Sequence, residues 1–294
     1  MAGTLLTSIS QSGGVRCIVA NTTDPITTLF AEQKPATLSG IMLGRALTAA
    51  ALMGSTMKTG QRVGLVFEGA GPLGKIVTEG DAQGHIRGVV HNDSLDFNSM
   101  TAVDEQIRTS LGVPGILSVV KDMGLKTPYR GSVALQSGEI GDDLAHYLTE
   151  SEQIPSAVSV GVIPDVDGVS LEAAGGFLVQ ALPNEGGRVA PDEIESISEF
   201  IEKLPPVTEL LRQGAGVEEL TSQIFGTVPY TILGARPVTY SCLCNRKKSI
   251  KRIAQLPSSE IADIFDRDTC VEIQCEYCKK TYTITEDEVK GYSP

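Results

Sequence analysis

Cys242, Cys244, Cys275 and Cys278 are the residues whose type and spacing most directly suggest chemistry in this chain. They read Cys-x-Cys, thirty intervening residues, then Cys-x-x-Cys. Each pair offers two sulfurs from one loop. Folding that joins the loops assembles four thiolates, the donor set of a closed tetrahedral zinc site with Zn–S bonds of about 2.3 Å. The spacing therefore predicts one zinc ion per chain in the reduced state. Four thiolates on a divalent cation leave a surplus of about two negative charges. Arg246, Lys247, Lys248, Lys251 and Arg252 follow the first pair and Lys279 and Lys280 the second, which suggests compensation. With one residue between the first two sulfurs, each also reaches the other. The same atoms thus suit a metal site or short disulfides, and both a purely structural zinc knuckle and a redox switch remain open.

The segment that must position these sulfurs, residues 236–294, is short. A domain of that size buries little area for its length and needs a staple. Zinc would be that staple, its binding energy largely folding energy. Residues 258–265, SSEIADIF, read as a helix. Cys270 falls in an apparent strand, DTCVEIQC, outside the expected metal site.

The whole chain has 294 residues, enough for about two domains. Hydrophobic residues make up 41%, aromatics only 5%, and there is no Trp, so the core must be mainly aliphatic. A net charge of −12 opposes a nucleic-acid phosphate binder. The opening MAGTLLTSISQSGGVR lacks the basic start and apolar run of a secretory signal. No apolar run approaches the roughly 18 residues of a membrane span. A cytoplasmic protein is expected, with thiols ordinarily reduced and no membrane or nucleic-acid partner.

Residues 1–183 read as an α+β, strand-rich domain. Residues 15–20 alternate as a strand that buries Cys17. Residues 39–58 form an Ala-, Leu- and Met-rich helix ending near Gly60. Residues 62–92 and 112–138 read as hairpin-connected strands, the latter turning at Asp122–Gly124. Asp142 and Asp143 open a helix, where acidic side chains suit the dipole. Strands follow Pro155 and span 175–183. There is no Ser-His-Asp arrangement and no clustered carboxylate pair, so the carboxylates read as a solvated surface. His85 and His91 have no ligand-spaced neighbours.

Residues 184–235 change character. NEGGR is a loop, and Pro191 suits a first helical position. Ile194, Ile197, Ile201 and Leu204 form an apolar stripe ended by Pro205 and Pro206. Residues 207–212 and 217–225 are two shorter amphipathic pieces. Ile197, Ile201, Leu204, Leu210 and Leu220 are expected to lie on the first domain, as an ordinary helical layer or as a cover that detaches. Residues 226–237 read as a passage into the cysteine-bearing segment.

The chain resembles the heat shock protein 33 family of redox-regulated holdase chaperones over almost its full length. The matching stretches are GPLGKIVTEGDAQGHIRGVV (71–90), PYRGSVALQSGEIGDDLAHYLTESEQIPSAVSVGV (128–162), GGFLVQALP (175–183) and the C-terminal CLC and CEYC. The resemblance implies a non-enzymatic, ATP-independent holdase for unfolding client proteins, inactive while reduced and zinc-bound. Oxidation would form Cys242–Cys244 and Cys275–Cys278 disulfides, release zinc, unfold the C-terminal module, loosen the linker and yield a homodimer. Cys17 and Cys270 lie outside the family's motif and leave extra disulfides open. Two rival classes remain. A zinc-ribbon nucleic-acid binder would use the basic run 246–252. A thiol-disulfide oxidoreductase would use Cys275 and Cys278, but no thioredoxin-like βαβ context surrounds them.

Overall fold

Two sequence periods, two and about 3.6, generate the elements of this α+β chain. The computed structural model describes residues 2–165, 170–183, 191–266 and 269–292. The chain divides into two units, Met1–Tyr240 and Ser241–Pro294. The first begins with β1 (Gly3–Ser10), β2 (Val15–Asn21), α1 (Thr23–Gln33) and α2 (Thr37–Gly54). Three strands follow, β3 (Arg62–Gly69), β4 (Lys75–Asp81) and β5 (His85–Val90), then α3 (Val103–Leu111). It continues with β6 (Gly115–Asp122), β7 (Tyr129–Ala134), α4 (Ile140–Glu150), β8 (Ser156–Pro164) and β9 (Leu171–Ala181). It ends with α5 (Pro191–Lys203), α6 (Val207–Arg212), α7 (Val217–Phe225) and β10 (Tyr230–Tyr240).

These strands make one ten-stranded sheet among the described residues, in the order β7-β6-β3-β4-β5-β10-β1-β2-β9-β8. Neighbours are antiparallel except β10 and β5, which run parallel and pair only at Thr239–His85 and Tyr240–Ile86. In β3, Val63, Leu65 and Phe67 alternate inward, as period two requires. β2 and β9 break the alternation because both their faces are buried. One face, with Ile18, Ala174 and Leu178, meets α1, α2 and α4. The other, with Val15, Cys17, Val19, Phe177 and Val179, meets α5, α6 and α7.

Helix α2 is buried on nearly every side. It is long and apolar enough to cross a membrane by length and composition, yet 89% of that window is buried inside the protein. It is a core helix, and small residues let it seat closely. A Cβ on Gly80 of β4 would strike the Ala50 carbonyl, and one on Gly44 would strike Val162 and Ile26. The helix ends four residues before the expected Lys58. The Ser55 and Thr56 hydroxyls donate to the Leu52 and Met53 carbonyls, which draws the chain into a turn.

Several other expectations change. Residues 226–237 are not a passage: most of them belong to β10, inside the sheet. β1, α1 and α3 were not foreseen. β9 starts at Leu171, four residues before the expected strand. Asp143 is not part of a solvated surface. It is fully buried, and its carboxylate accepts the backbone N–H groups of Gln136, Ser137 and Gly138. Glu139 is likewise mostly buried and accepts from Arg45 at 2.6 Å. The NEGGR segment lies outside the described residues.

The second unit is built from α8 (Arg246–Ala254), α9 (Ser258–Phe265), the hairpin β11 (Cys270–Gln274) and β12 (Thr281–Thr285), and α10 (Glu286–Lys290). Asn245 caps α8 by accepting the Lys248 N–H. Thr285 and Glu288 form a capping box on α10. Among the described residues of this unit the buried apolar side chains are few: Ile253, Tyr282, Ile284 and Val289.

Close seating of α2 is testable. Gly80→Ala should lower the stability of the first unit by about 1–3 kcal/mol. Thermal unfolding should show an earlier transition, with the metal content of the second unit unchanged.

Candidate metal centre

Cys242 and Cys244 stand on the loop between β10 and α8, and Cys275 and Cys278 on the turn between β11 and β12. That turn is closed by Lys279 N–H donating to the Cys275 carbonyl at 2.8 Å and Cys275 N–H donating to the Lys280 carbonyl at 2.9 Å. Lys279 has a left-handed φ of 56°, a tight conformation that returns the chain toward β12. The four sulfur atoms all lie within 4.8 Å of one another. Cys242 Sγ is 3.6 Å from Cys275 Sγ, and Cys244 Sγ is 3.3 Å from Cys278 Sγ. These contacts run between the two pairs. A tetrahedron with arms of about 2.3 Å has edges of about 3.8 Å, so this donor set fits a zinc ion in both chemistry and span. Cys270 is not a member of the cluster. Neither His85 nor His91 joins a metal-competent group among the described residues, and His85 faces Asp81 at 2.9 Å.

The sulfurs are not equivalent. Burial pushes the Cys242 thiol well above its ordinary range, and pushes Cys278 to about 11. Burial also works against the Cys244 thiolate, but hydrogen bonds from Tyr282 and then Cys278 bring that thiol down to about 7. The expected cationic compensation is partly redirected. Arg246 makes a two-pronged pair with Glu288, both contacts at 2.8 Å, and holds that carboxyl down at about 2. Lys248 donates to the Leu243 carbonyl at 2.6 Å, on the Cys-x-Cys loop itself.

The other expected site residues lie in the first unit. Ile197 and Leu220 are fully buried against the β2–β9 face, while Ile201, Leu204 and Leu210 are half-buried. Sequence reasoning missed the stronger anchors Val207, Leu211, Ile224 and Phe225. Their signal was present in the i, i+4 pairs Val207–Leu211 and Leu220–Ile224. Phe225 stacks on Tyr230 with ring centroids 4.5 Å apart. Helix α5 is the loosest part of this layer. Ile197 is its single buried residue, and Ile194, Ile197 and Ile201 line a cleft of about 230 Å³ together with Val15 and Val179. Beneath the layer, Cys17 is 1% exposed, and burial pushes its thiol up to about 12.

A profile of the family described as Hsp33 protein matches residues 3–285. A 33 kDa chaperonin from Geobacter sulfurreducens is 41% identical over 288 residues, covering 97% of this chain and 93% of that protein. The 33 kDa chaperonin of Bacillus pumilus is 36% identical over 286 residues, with coverage of 97% and 96%. The crystal structure of the 33 kDa chaperonin from Thermotoga maritima aligns with a TM-score of 0.88 at 30% identity, over 98% of this chain and 96% of that one.

The sulfur cluster leads to two expected outcomes. Reduced protein should carry one zinc per chain, and Cys244→Ser should weaken binding, read by competition with a chromogenic chelator. Affinity should also fall with pH. Thiols that carry protons in the metal-free protein must surrender them to ligate zinc. Each displaced proton should cost about tenfold in affinity per pH unit of acidification. Titrations at pH 8, 7 and 6 with equal affinities would exclude thiolate ligation.

Proposed function

The chain belongs to the Hsp33 family, and from that premise we propose that it is an ATP-independent holdase chaperone, non-enzymatic and switched on by oxidation. The observation that carries this reading is the gathering of four sulfurs at the centre of a module with very little apolar core of its own. Cys242, Cys244, Cys275 and Cys278 hold one zinc ion in the reduced state, and the ion supplies the cross-link that the module's core lacks.

Oxidation consumes the ligands. Cys242 bonds to Cys244 and Cys275 to Cys278, each pair of thiolates giving two electrons to the oxidant as the zinc ion is released. Sulfur in a disulfide no longer carries the charge that holds the metal, so the second unit loses most of its stability. Chain connectivity then matters. Cys242 lies two residues after the end of β10, and four residues separate β10 from α7. Loss of order beyond Tyr240 frees the end of β10 and, through it, the amphipathic layer α5–α7. When that layer lifts, Ile197, Ile201, Leu204, Leu210 and Leu220 and the β2–β9 face beneath them become apolar surface for unfolding clients. The cleft under α5 supports a layer held less firmly than α2 on the opposite face. The same exposure favours a homodimer on oxidation. The proposal places the protein in the cytoplasm, with no nucleic-acid or membrane partner.

The layer can be tested without oxidant. Ile201→Ser/Leu204→Ser should suppress aggregation of a heat-unfolded client enzyme while fully reduced. Cys17 reports on the same event, since its thiol lies under the layer. Maleimide should label it at least roughly tenfold faster in the double variant than in the wild type. A folded, inactive variant with unlabelled Cys17 would sink the detachable layer. The module has its own test. Cys242→Ser/Cys244→Ser removes two ligands, so amide protection over residues 242–290 should collapse under reductant while the first unit keeps its protection. Retained protection would show that the module folds without metal.

A further inference from the structure

The Tyr282 hydroxyl is a polar atom that the apolar core of the second unit does not require. The ring is 8% exposed and packs with Ile253, Ile284 and Val289. β12 fixes it opposite Ile273 of β11. A phenylalanine would fill that space equally well. The hydroxyl points to sulfur instead: Tyr282 Oη lies 3.2 Å from Cys244 Sγ. A metal-bound thiolate has no proton to give, so the phenol must be the donor. Lys280 Nζ lies 5.6 Å from the centroid of the same ring. A cation over an aromatic face draws electron density from it and strengthens its O–H as a donor.

We propose that Tyr282 is a positioning residue that slows oxidation of Cys244 and so sets the oxidant level at which the zinc module opens. This rests on the thiolate–metal reading of the four cysteines. Attack on a hydroperoxide uses a sulfur lone pair. The pair forms an S–O bond to the terminal oxygen, the O–O bond breaks, and hydroxide or alkoxide leaves and takes a proton from water. Cys244 becomes a sulfenic acid, oxidised by two electrons. The Cys242 thiolate then forms the S–S bond and expels hydroxide. The Tyr282 hydrogen bond acts on the first step. It holds density on Cys244 Sγ that the S–O bond needs, and must be broken or weakened as the sulfur loses charge. Outer-shell hydrogen bonds of this kind commonly alter a metal site by roughly ten- to a hundredfold.

Tyr282→Phe keeps the ring and removes only the donor. The variant should still bind one zinc per chain and keep wild-type amide protection over the second unit. Oxidation of Cys244 by hydrogen peroxide, followed by alkylation and mass spectrometry, should be on the order of tenfold faster. Alkylation of Cys275 and Cys278 in the absence of oxidant should stay unchanged. Lys280→Gln should shift the Cys244 rate in the same direction by less. In cobalt-substituted protein the sulfur-to-metal charge-transfer band should move to lower energy in Tyr282→Phe, because the freed thiolate is a better electron donor. Zinc bound with an unchanged Cys244 rate would overturn the brake alone. Equal acceleration at all four cysteines with lost amide protection would assign Tyr282 a packing role only. A wild-type protein that binds no zinc would remove the reading on which the brake rests.

Discussion

Four sulfurs converge from two loops that are separated by thirty residues of sequence, and the second unit has little else to hold those loops together. Its described buried apolar side chains number four, one of them the tyrosine that contacts a cysteine. Caps on α8 and α10 and the Arg246–Glu288 pair organise helix ends at the surface. Exposed ion pairs of that kind contribute little to stability. The balance between order and disorder in such a unit is therefore set by what ties the sulfurs. On the proposed function, a reversible chemical change at those atoms is amplified because little apolar core stands behind them.

The first unit is built on the opposite principle. Its sheet is buried on both faces along β2 and β9, and α2 packs so closely that glycine is needed where backbones meet. The two layers over the sheet are unequal. α2 is buried almost all round, whereas α5 buries one residue and leaves a cleft below it. The difference was encoded in patterning. α2 has no polar stripe to keep in water, so leaving the sheet would expose all of it. α5, with glutamates and a lysine on its outer side, loses little by leaving. On the proposed function, one sheet thus carries a permanent layer and a conditional one.

Much of this was legible in the residues, for reasons that differ from place to place. Cysteine pairs are read from spacing because ligand geometry limits the intervening loop. The hairpins of β3–β5 and β6–β7 announced themselves by alternation broken at glycine turns. Gly74, with φ of 69°, supplies one that a side chain would strain. β10 was hidden because Gly234 and Pro237 interrupt its pattern and most of its residues are exposed. Its strand state comes from pairing with β1, a contact more than two hundred residues away in sequence. The burial of Asp143 was hidden for a related reason. The spacing showed an acidic first turn, but the loop of N–H donors that buries it exists only once β7 and α4 are in place. α6 buries Val207, Thr208 and Leu211 and leaves the expected Leu210 half-buried, because a short helix of six residues leaves its phase uncertain in the sequence.

On the proposed function, β10 is the element through which a change at the cysteine loop would reach the amphipathic layer. Along residues 230–238 it pairs with β1, and it meets β5 only at Thr239 and Tyr240. Those two residues are its last before the second unit. The Tyr240 hydroxyl accepts from Gln33 Nε2 at 3.1 Å, and Gln33 also donates to the Gly88 carbonyl of β5 at 2.8 Å. The junction between the two halves of the sheet is therefore a short parallel contact reinforced by Gln33 and by Arg236, which donates to the Ala82 carbonyl, and it ends two residues before Cys242. Pro237 contributes no N–H there. A strand laddered on one side along its length, and on the other only at its final two residues with Arg236 donating to the Ala82 carbonyl, has its β5 contact close to the chain that follows it. On the proposed function, disorder in the chain beyond Tyr240 would loosen this short parallel contact. The next element back along the chain is α7, which anchors the amphipathic layer through Leu220, Ile224 and Phe225. On the proposed function, this continuity of chain lets a redox event at sulfur be felt by an apolar surface that contains none of the four zinc cysteines.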